Sequence, residues 1–371
     1  MDGLKVKELI NYQNILNIYE KEICKNVKHK DKLKVFERNK VQNINTILNI
    51  LNSNTYDGGK YEIFLISEPK LRIVMSLRIL DKIINHFTTR FILEPKLTKY
   101  LDDRNIATRK GMGTEYGIRL IKKYLEMNKK YDTFYSLKID ISKYFYSINH
   151  EVLLNMLKHD LNDDEYMLVK SIINSTNKDY INKQIIHLKE MHKVKYHNRL
   201  DELNNIPLYF NGKGLPIGNL TSQFLSIYYL NRLDHYIIHD LKIKCYLRYM
   251  DDFILIHHDK EYLKYALFKI KSILNNAYKL DINLKKTQIS NIKHGFTILG
   301  YRFRVINNKT IINIKKDTKN RIKRKVKENK YLLDKNINNY NHVFSSINNY
   351  YYSYKYSDEA RKIVDKYFWG S

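Results

Sequence analysis

Asp140 and the adjacent pair Asp251 and Asp252 are the residues whose type and setting could do chemistry. Carboxylates are hard oxygen ligands of the kind Mg2+ demands. Two divalent ions held about 3.5–4 Å apart can drive nucleotidyl transfer, one activating a 3′-hydroxyl and the other steadying the departing pyrophosphate. That chemistry needs carboxylates from separate strands to converge. A lone Asp-Asp pair is more often a turn feature bonded to its own backbone, so the surroundings must decide.

The elements around these residues can position them. Residues 134–141 read as a strand, whose side chains alternate between faces. Tyr135, Leu137, Ile139 and Ile141 then turn toward a core, and Phe134, Ser136, Lys138 and Asp140 toward a cleft. Residues 244–256 place two extended apolar runs on either side of the Asp pair, the pattern of a β-hairpin with Asp251 and Asp252 at its tight turn. Residues 61–67 and 297–305 read as further extended runs. Ile10, Ile15, Ile18 and Tyr19 fall on one helical face, and residues 77–93 carry apolar residues at helical intervals. Helices interleaved with a few antiparallel strands predict an α+β protein. No internal repeat is visible, and 4 Pro and 12 Gly mark no obvious linker.

Composition narrows the partners. Of 371 residues, 43% are hydrophobic, enough for a sizeable core and against global disorder. Lys and Arg outnumber acids 66 to 39, a formal charge of +27 that favours a polyanion such as nucleic acid. Cys24 and Cys245 stand far apart, which leaves no disulfide framework or cysteine-rich zinc site. No apolar run reaches the length of a membrane span or a signal-peptide core, so the expected location is cytoplasmic, with no membrane partner.

Five segments in order give the aspartates their company. Tyr249-Met-Asp-Asp252 resembles the catalytic box of reverse transcriptases. Asp140-Ile-Ser-Lys-Tyr-Phe145 looks like the first catalytic motif of that family, and Gly214-Leu-Pro-Ile-Gly-Asn-Leu-Thr-Ser-Gln223 like its template and nucleotide-positioning motif. Leu284-Lys-Lys-Thr287 is similar to the lysine motif after the box, and Phe296-Thr-Ile-Leu-Gly-Tyr301 to the primer-grip hairpin. Upstream, Glu68-Pro-Lys-Leu-Arg72 and Arg109-Lys-Gly-Met-Gly113 are similar to finger segments of bacterial enzymes. The resemblance spans roughly residues 61 to 305.

The resemblance implies an RNA-directed DNA polymerase with the right-hand fold of fingers, palm and thumb. It divides the chain into an N-terminal extension and fingers (1–133), a palm (134–308, with an insertion at about 160–213) and a thumb with its tail (309–371). Asp140 and Asp251 become the main ligands of two Mg2+ ions (Mn2+ a substitute), with Asp252 assisting and the Ile141 carbonyl as an extra oxygen. Phe145 matches the aromatic gate beneath the sugar that favours deoxynucleotides. Ile217, Gly218 and Gln223 lie in the nucleotide-positioning motif, where glycine permits a close backbone approach. Lys286 becomes a general acid toward pyrophosphate, and Lys70 and Arg72 a clamp on the triphosphate. Leu299, Gly300 and Tyr301 form the primer grip. The implied partners are an RNA template, a DNA product and dNTPs, with room for an accessory protein.

Beyond residue 301 the chain turns strongly basic. Ile322, Val326 and Leu333 space out as one apolar stripe, so residues 315–330 read as a helix with one buried edge. Lys315, Lys316, Lys319, Arg321, Lys323, Arg324, Lys325 and Lys327 would then lie along nucleic-acid phosphates, positioning a duplex without reading its sequence. The tyrosine-rich stretch 348–356 could stack on bases or offer a priming hydroxyl. In a chain with 32 tyrosines, ordinary packing is the favoured reading.

Lineage is read from departures. Ile217 and Gln223 stand where many relatives carry Gln and Pro. That form is similar to enzymes of diversity-generating retroelements and to bacterial unknown-group and defence-associated reverse transcriptases. Glu115, where the diversity-generating pattern often has His, tips the reading toward a defence-associated enzyme copying a dedicated non-coding RNA. A mutagenic retroelement enzyme is the alternative, and an RNA-binding maturase-like scaffold is the alternative of another class.

Overall fold

The computed structural model describes residues 6–26, 30–68, 70–335, 337 and 339–370. The chain forms two compact units interleaved along the sequence: residues 1–108, 141–240 and 269–282 in the first, and 109–140, 241–268 and 283–371 in the second.

In the first unit, β1 (Tyr61–Ile66) and β2 (Arg72–Leu77) form an antiparallel pair with Tyr61 opposite Leu77. Ile73, Met75 and Leu77 alternate onto one face of β2 and are buried. Their cover comes from the inserted segment, where Ile181 and Ile185 of the helix Asp179–His192 join Leu203, Ile206 and Tyr209 in the same cluster. Residues 72–77 were not foreseen as a strand. The helix expected over 77–93 is present: Ile79–Phe87 buries Ile83, Ile84 and Phe87, and helical winding continues through Thr88–Leu93. Ile15, Ile18 and Tyr19 are buried as their spacing predicts, whereas Ile10 is only half-buried.

The second unit holds two sheets. In the first, antiparallel throughout, β3 (Tyr135–Asp140) lies between β5 (Asp252–His257) and β6 (Gln288–Asn291), and β4 (Cys245–Tyr249) pairs with the outer side of β5. The other sheet is the meander β7 (Phe296–Ile298), β8 (Tyr301–Ile306) and β9 (Lys309–Ile314). Cys245 to Arg248 and Phe253 to Ile256 are buried without alternation, as expected of strands covered on both faces. The same cover corrects the face assignment for β3. Leu137, Ile139 and Ile141 are buried as expected, but Phe134 and Ser136 are buried too, and Tyr135 is only half-buried. The supposed cleft face is filled to its end: Phe134, Ser136 and Asp140 are all buried, and only Lys138 is half-buried. The helix Thr114–Asn128 buries Gly117, Ile118, Ile121, Tyr124 and Leu125, and the Tyr124 hydroxyl donates to the Tyr246 carbonyl on β4 at 3.0 Å.

The basic segment is helical, as Lys316–Asp334, and buries Ile322 and Val326 against the group formed by Tyr340–Ser353 and Glu359–Val364. Leu333 is half-buried on the same stripe. The Glu359 carboxylate accepts from the Ile314 backbone N–H at 2.6 Å and from Asn313 at 3.1 Å, and pairs with Lys319. It therefore ties the end of β9 to this helix group. Among the described residues, no helix is long and apolar enough to cross a membrane.

Gly295 makes the turn from β6 into β7 with φ +74°, and a Cβ there would lie 2.1 Å from the Phe303 carbonyl oxygen. Gly295→Ala combines a left-handed residue, about 1–2 kcal/mol, with that overlap. The melting temperature should fall by about 2–4 °C for each kcal/mol lost, read by circular dichroism. A wild-type melting temperature would show that the turn repacks freely.

Candidate active site

Antiparallel pairing brings the chemistry-bearing residues together. Asp140, the last residue of β3, stands directly opposite Asp252, the first of β5, and cross-strand partners project to the same face of a sheet. Asp251 precedes Asp252 in the two-residue turn Met250–Asp251, whose flanking pair is Tyr249 and Asp252. Only Asp251 of the expected pair therefore lies in the turn, and Asp252 belongs to the strand. Met250 takes φ +55°, a left-handed conformation costly for a side chain of its size. Arg248, fully buried, donates to the Met250 carbonyl at 3.0 Å and sets its guanidinium 5.8 Å from the Phe253 ring centre.

Asp140 is enclosed by residues 283–287, beyond the β4–β5 hairpin. Its carbonyl accepts the Asn283 N–H at 2.7 Å, its own N–H donates to Thr287 Oγ1 at 3.3 Å, and Lys286 Nζ lies 2.9 Å from both carboxylate oxygens. The Lys286 and Thr287 N–H groups both donate to the Asn283 carbonyl, which closes the segment into a tight turn. The lysine motif therefore clasps the aspartate by backbone and side chain together.

The electrostatics are those of crowded negative charge. Burial, then the charges of Asp252 and Asp140, push the Asp251 carboxyl up to about 6. Asp252 Oδ1 is buried without a hydrogen bond, and Lys138 Nζ lies 3.2 Å from it as an ion pair. Among the described residues, no three His, Cys, Asp or Glu side chains are already gathered as a metal-ligand set; lysines sit on two of the three carboxylates. The donors nevertheless fit a hard divalent cation. They are all oxygens, two of them share one sheet face, one oxygen accepts no hydrogen bond, and the third carboxyl has its charged form disfavoured by burial and by the charges of its neighbours.

The remaining expected residues fall as follows. Ile141 is buried and bridges Ile282 in the first unit. Also in the first unit, Phe145 is half-buried in the short helix Tyr144–Ser147, and its carbonyl accepts the Leu215 N–H at 2.7 Å. The nucleotide-positioning motif is bound to β2 through the Ile217 carbonyl, which accepts the Met75 N–H at 2.9 Å. Gly218 has φ +121°, and a Cβ there would meet the Met75 carbonyl oxygen at 3.1 Å, so the close approach that demands glycine is to this protein's own β2. Gln223 is half-buried in the helix Leu220–Tyr229. Lys70 and Arg72 are exposed, Arg72 opening β2.

In the second unit, Leu299 and Gly300 both take positive φ, making a two-residue hairpin turn between β7 and β8. Tyr301 is buried, and its hydroxyl donates to the Ser353 carbonyl at 3.0 Å. The basic residues divide by environment. Lys315, Lys316, Arg324 and Lys327 are exposed, though Lys315 pairs with Asp317 at 3.1 Å. Lys319 is paired with Glu359, Arg321 donates to the Tyr354 hydroxyl, and Lys325 is paired with Glu328. Lys323 and Lys327 stand 4.6 and 5.1 Å from the ring centre of Tyr367.

Residues 60–303 match the family model for reverse transcriptase (RNA-dependent DNA polymerase). The chain belongs to the reverse transcriptase family. Its fold class is that of the right-hand polymerases, and the family it belongs to is one of RNA-dependent DNA polymerases. Reverse transcriptase domains use divalent metal ions and act on RNA template, DNA product and dNTPs. A solved structure of apo telomerase from Candida tropicalis, truncated from the C-terminal domain, is similar at 15% identity with a TM-score of 0.47. The match covers 70% of this reverse transcriptase and 55% of that chain, so the protein spans about half the length of that structure. No curated protein matches it in sequence.

Lys138, Thr287 and Arg248 join the expected residues at the site. Each carried a signal: Lys138 shares the Asp140 face of a period-two strand, Thr287 ends the lysine motif, and Arg248 interrupts an apolar run.

The raised Asp251 value has a signed consequence. The folded value lies above the ordinary 3.8, so the stability this group contributes is complete below 3.8 and lost as pH rises through about 6. Without divalent ions, wild type should lose stability relative to Asp251→Asn between about pH 4 and 6.5. Mg2+ should raise the melting temperature more above pH 6 than below it, because the cation needs the charged carboxylate. Parallel pH profiles for the two proteins in thermal unfolding would contradict this.

Proposed function

We propose that this reverse transcriptase makes cDNA by two-metal nucleotidyl transfer at Asp140, Asp251 and Asp252, with Mg2+ as its ion and Mn2+ as a substitute. The observation that carries this is the register: Asp140 faces Asp252 across neighbouring strands, with Asp251 in the adjoining turn. Bound there, two divalent ions would lower the cost of deprotonating the primer 3′-hydroxyl and neutralise charge on the leaving pyrophosphate.

The chain's own residues do the rest. Asp140 and Asp251 supply the main oxygens, Asp252 assists, and the Ile141 carbonyl adds one more. Lys286, seated on Asp140, carries the proton that the departing pyrophosphate takes up as the bond from the 3′-oxygen to the α-phosphorus forms. Lys70 and Arg72 hold the triphosphate, and the Phe145 ring excludes a 2′-hydroxyl. Ile217, Gly218 and Gln223 seat the base pair, and Leu299, Gly300 and Tyr301 steady the primer end. The exposed cations of residues 315–327 run along the duplex phosphates as a thumb follows fingers and palm.

The biological reading rests on the Ile217-Gly218 and Ser222-Gln223 form of the positioning motif, which diversity-generating and defence-associated enzymes share, and on Glu115, which tips it toward a bacterial defence-associated enzyme that copies a dedicated non-coding RNA. Sequencing the RNA and DNA that copurify with the protein tests it. One structured RNA with its matching cDNA supports the reading, and frequent substitutions in cDNA from a protein-coding template would point instead to a diversity-generating enzyme.

Asp251→Asn and Asp252→Asn should each lower primer extension on an RNA template by about a thousandfold, with RNA binding kept. Wild type and variants that bind RNA alike while neither extends a primer would leave a scaffold. Phe145→Ala should relax the preference for dNTPs over rNTPs by about tenfold or more, measured as the ratio of kcat/KM values. An unchanged ratio removes the gate assignment.

A further inference from the structure

Lys138 connects three strands of the second unit through one ammonium group. It lies on β3 two residues before Asp140, on the same face, with its side chain only 15% exposed. Its Nζ donates to the Thr297 carbonyl on β7 at 3.0 Å and stands 3.2 Å from Asp252 Oδ1 on β5. Strands β3 and β5 belong to one sheet and β7 to the other, so the side chain reaches from the carboxylate-bearing sheet to the hairpin that turns at Leu299 and Gly300.

The contact at each end has a distinct consequence. Thr297 sits in the middle of the three-residue strand β7, paired with Arg302 of β8, so a bond to its carbonyl restrains the hairpin close to its turn. At the other end, Asp252 Oδ1 is buried and accepts no hydrogen bond, so the nearby ammonium compensates its charge without fully satisfying it. A fixed positive charge at that distance weakens the carboxylate as a cation ligand and restricts its rotation. An apolar residue would be the ordinary choice on a mostly buried strand position, and burying an ammonium is costly unless it is paired.

We propose that Lys138 is a positioning residue that yokes the Asp252 carboxylate to the β7–β8 hairpin, so one ammonium sets both the hairpin's place and the carboxylate's hold on a cation. This rests on the polymerase reading above, because it matters to catalysis only if Asp252 assists a metal and the hairpin steadies a primer. Its signature is that two properties move in opposite directions. Removing the ammonium frees a ligand oxygen, which tightens cation binding, and unties the hairpin, which slows the reaction.

The test uses the full chain and Lys138→Met, with Lys138→Arg as the conservative variant. Free Mn2+ is counted by electron paramagnetic resonance without nucleic acid, and primer extension is split into kcat and KM. Lys138→Met should bind Mn2+ about tenfold more tightly while kcat falls about a hundredfold, with KM for dNTP held within about twofold. Lys138→Arg should keep Mn2+ affinity at the wild-type value and recover most of kcat. Mn2+ binding that stays unchanged or weakens in folded Lys138→Met overturns the proposal, whatever happens to the rate. If the methionine variant does not fold, Lys138→Gln, which keeps polarity but loses charge, gives the same measurements. A wild-type protein that extends no primer would instead overturn the polymerase reading, and the Mn2+ arm would still report on Lys138.

Discussion

Like charges resist being brought together, and the second unit is organised around that resistance. Asp140 and Asp252 face each other across β3 and β5, and Asp251 adjoins them in the turn. Nothing in local backbone preference favours three carboxylates there. Two ammonium groups answer the repulsion, Lys286 across both oxygens of Asp140 and Lys138 beside Asp252. The Asp251 carboxyl keeps a raised value, pushed up by burial and by its two neighbours. A site poised this way is short of positive charge by design of its sequence, and divalent cations can supply it.

Geometry of that accuracy needs a stiff frame. The left-handed Met250 is held by buried Arg248 through its carbonyl. Asp140 is gripped by Asn283 and Thr287 through its backbone, so its side chain has little freedom. Lys138 and the bond from Tyr301 to Ser353 tie the β7–β8 hairpin to β3 on one side and to the C-terminal helices on the other. The first unit shows the same economy. Gly218 lets the positioning motif lie against β2, and the Ile217 carbonyl completes a bond to Met75. The buried Tyr61 hydroxyl links Ser175 and Asn219 across segments far apart in sequence.

Positive charge is used internally as well as offered outward. Lys319 and Arg321 stabilise the C-terminal helix group through Glu359 and Tyr354. Lys316, Arg324 and Lys327 remain exposed. Counting lysines in the segment therefore overstates the surface available to phosphates, because a helix with one buried edge spends its flanking cations on packing partners.

The amino-acid sequence by itself determined the local elements and the order of the motifs. Apolar runs around Asp251 and Asp252 can only be buried as paired strands, Ile322 and Val326 recur at a helix period, and Asp140 ends a strand whose alternation is plain. These are properties of neighbours in the chain, so they are legible without coordinates. The tertiary structure decided what those residues touch. It buried Phe134 and Ser136, because β3 became a central strand with both faces covered. It moved Asp252 out of the turn and opposite Asp140, since strand register depends on the partner strand. It brought Lys138, Arg248 and Thr287 to the carboxylates and their turn. Residues 138 and 297, or 140 and 287, are separated by well over a hundred positions, and only the pairing of distant strands places one beside the other.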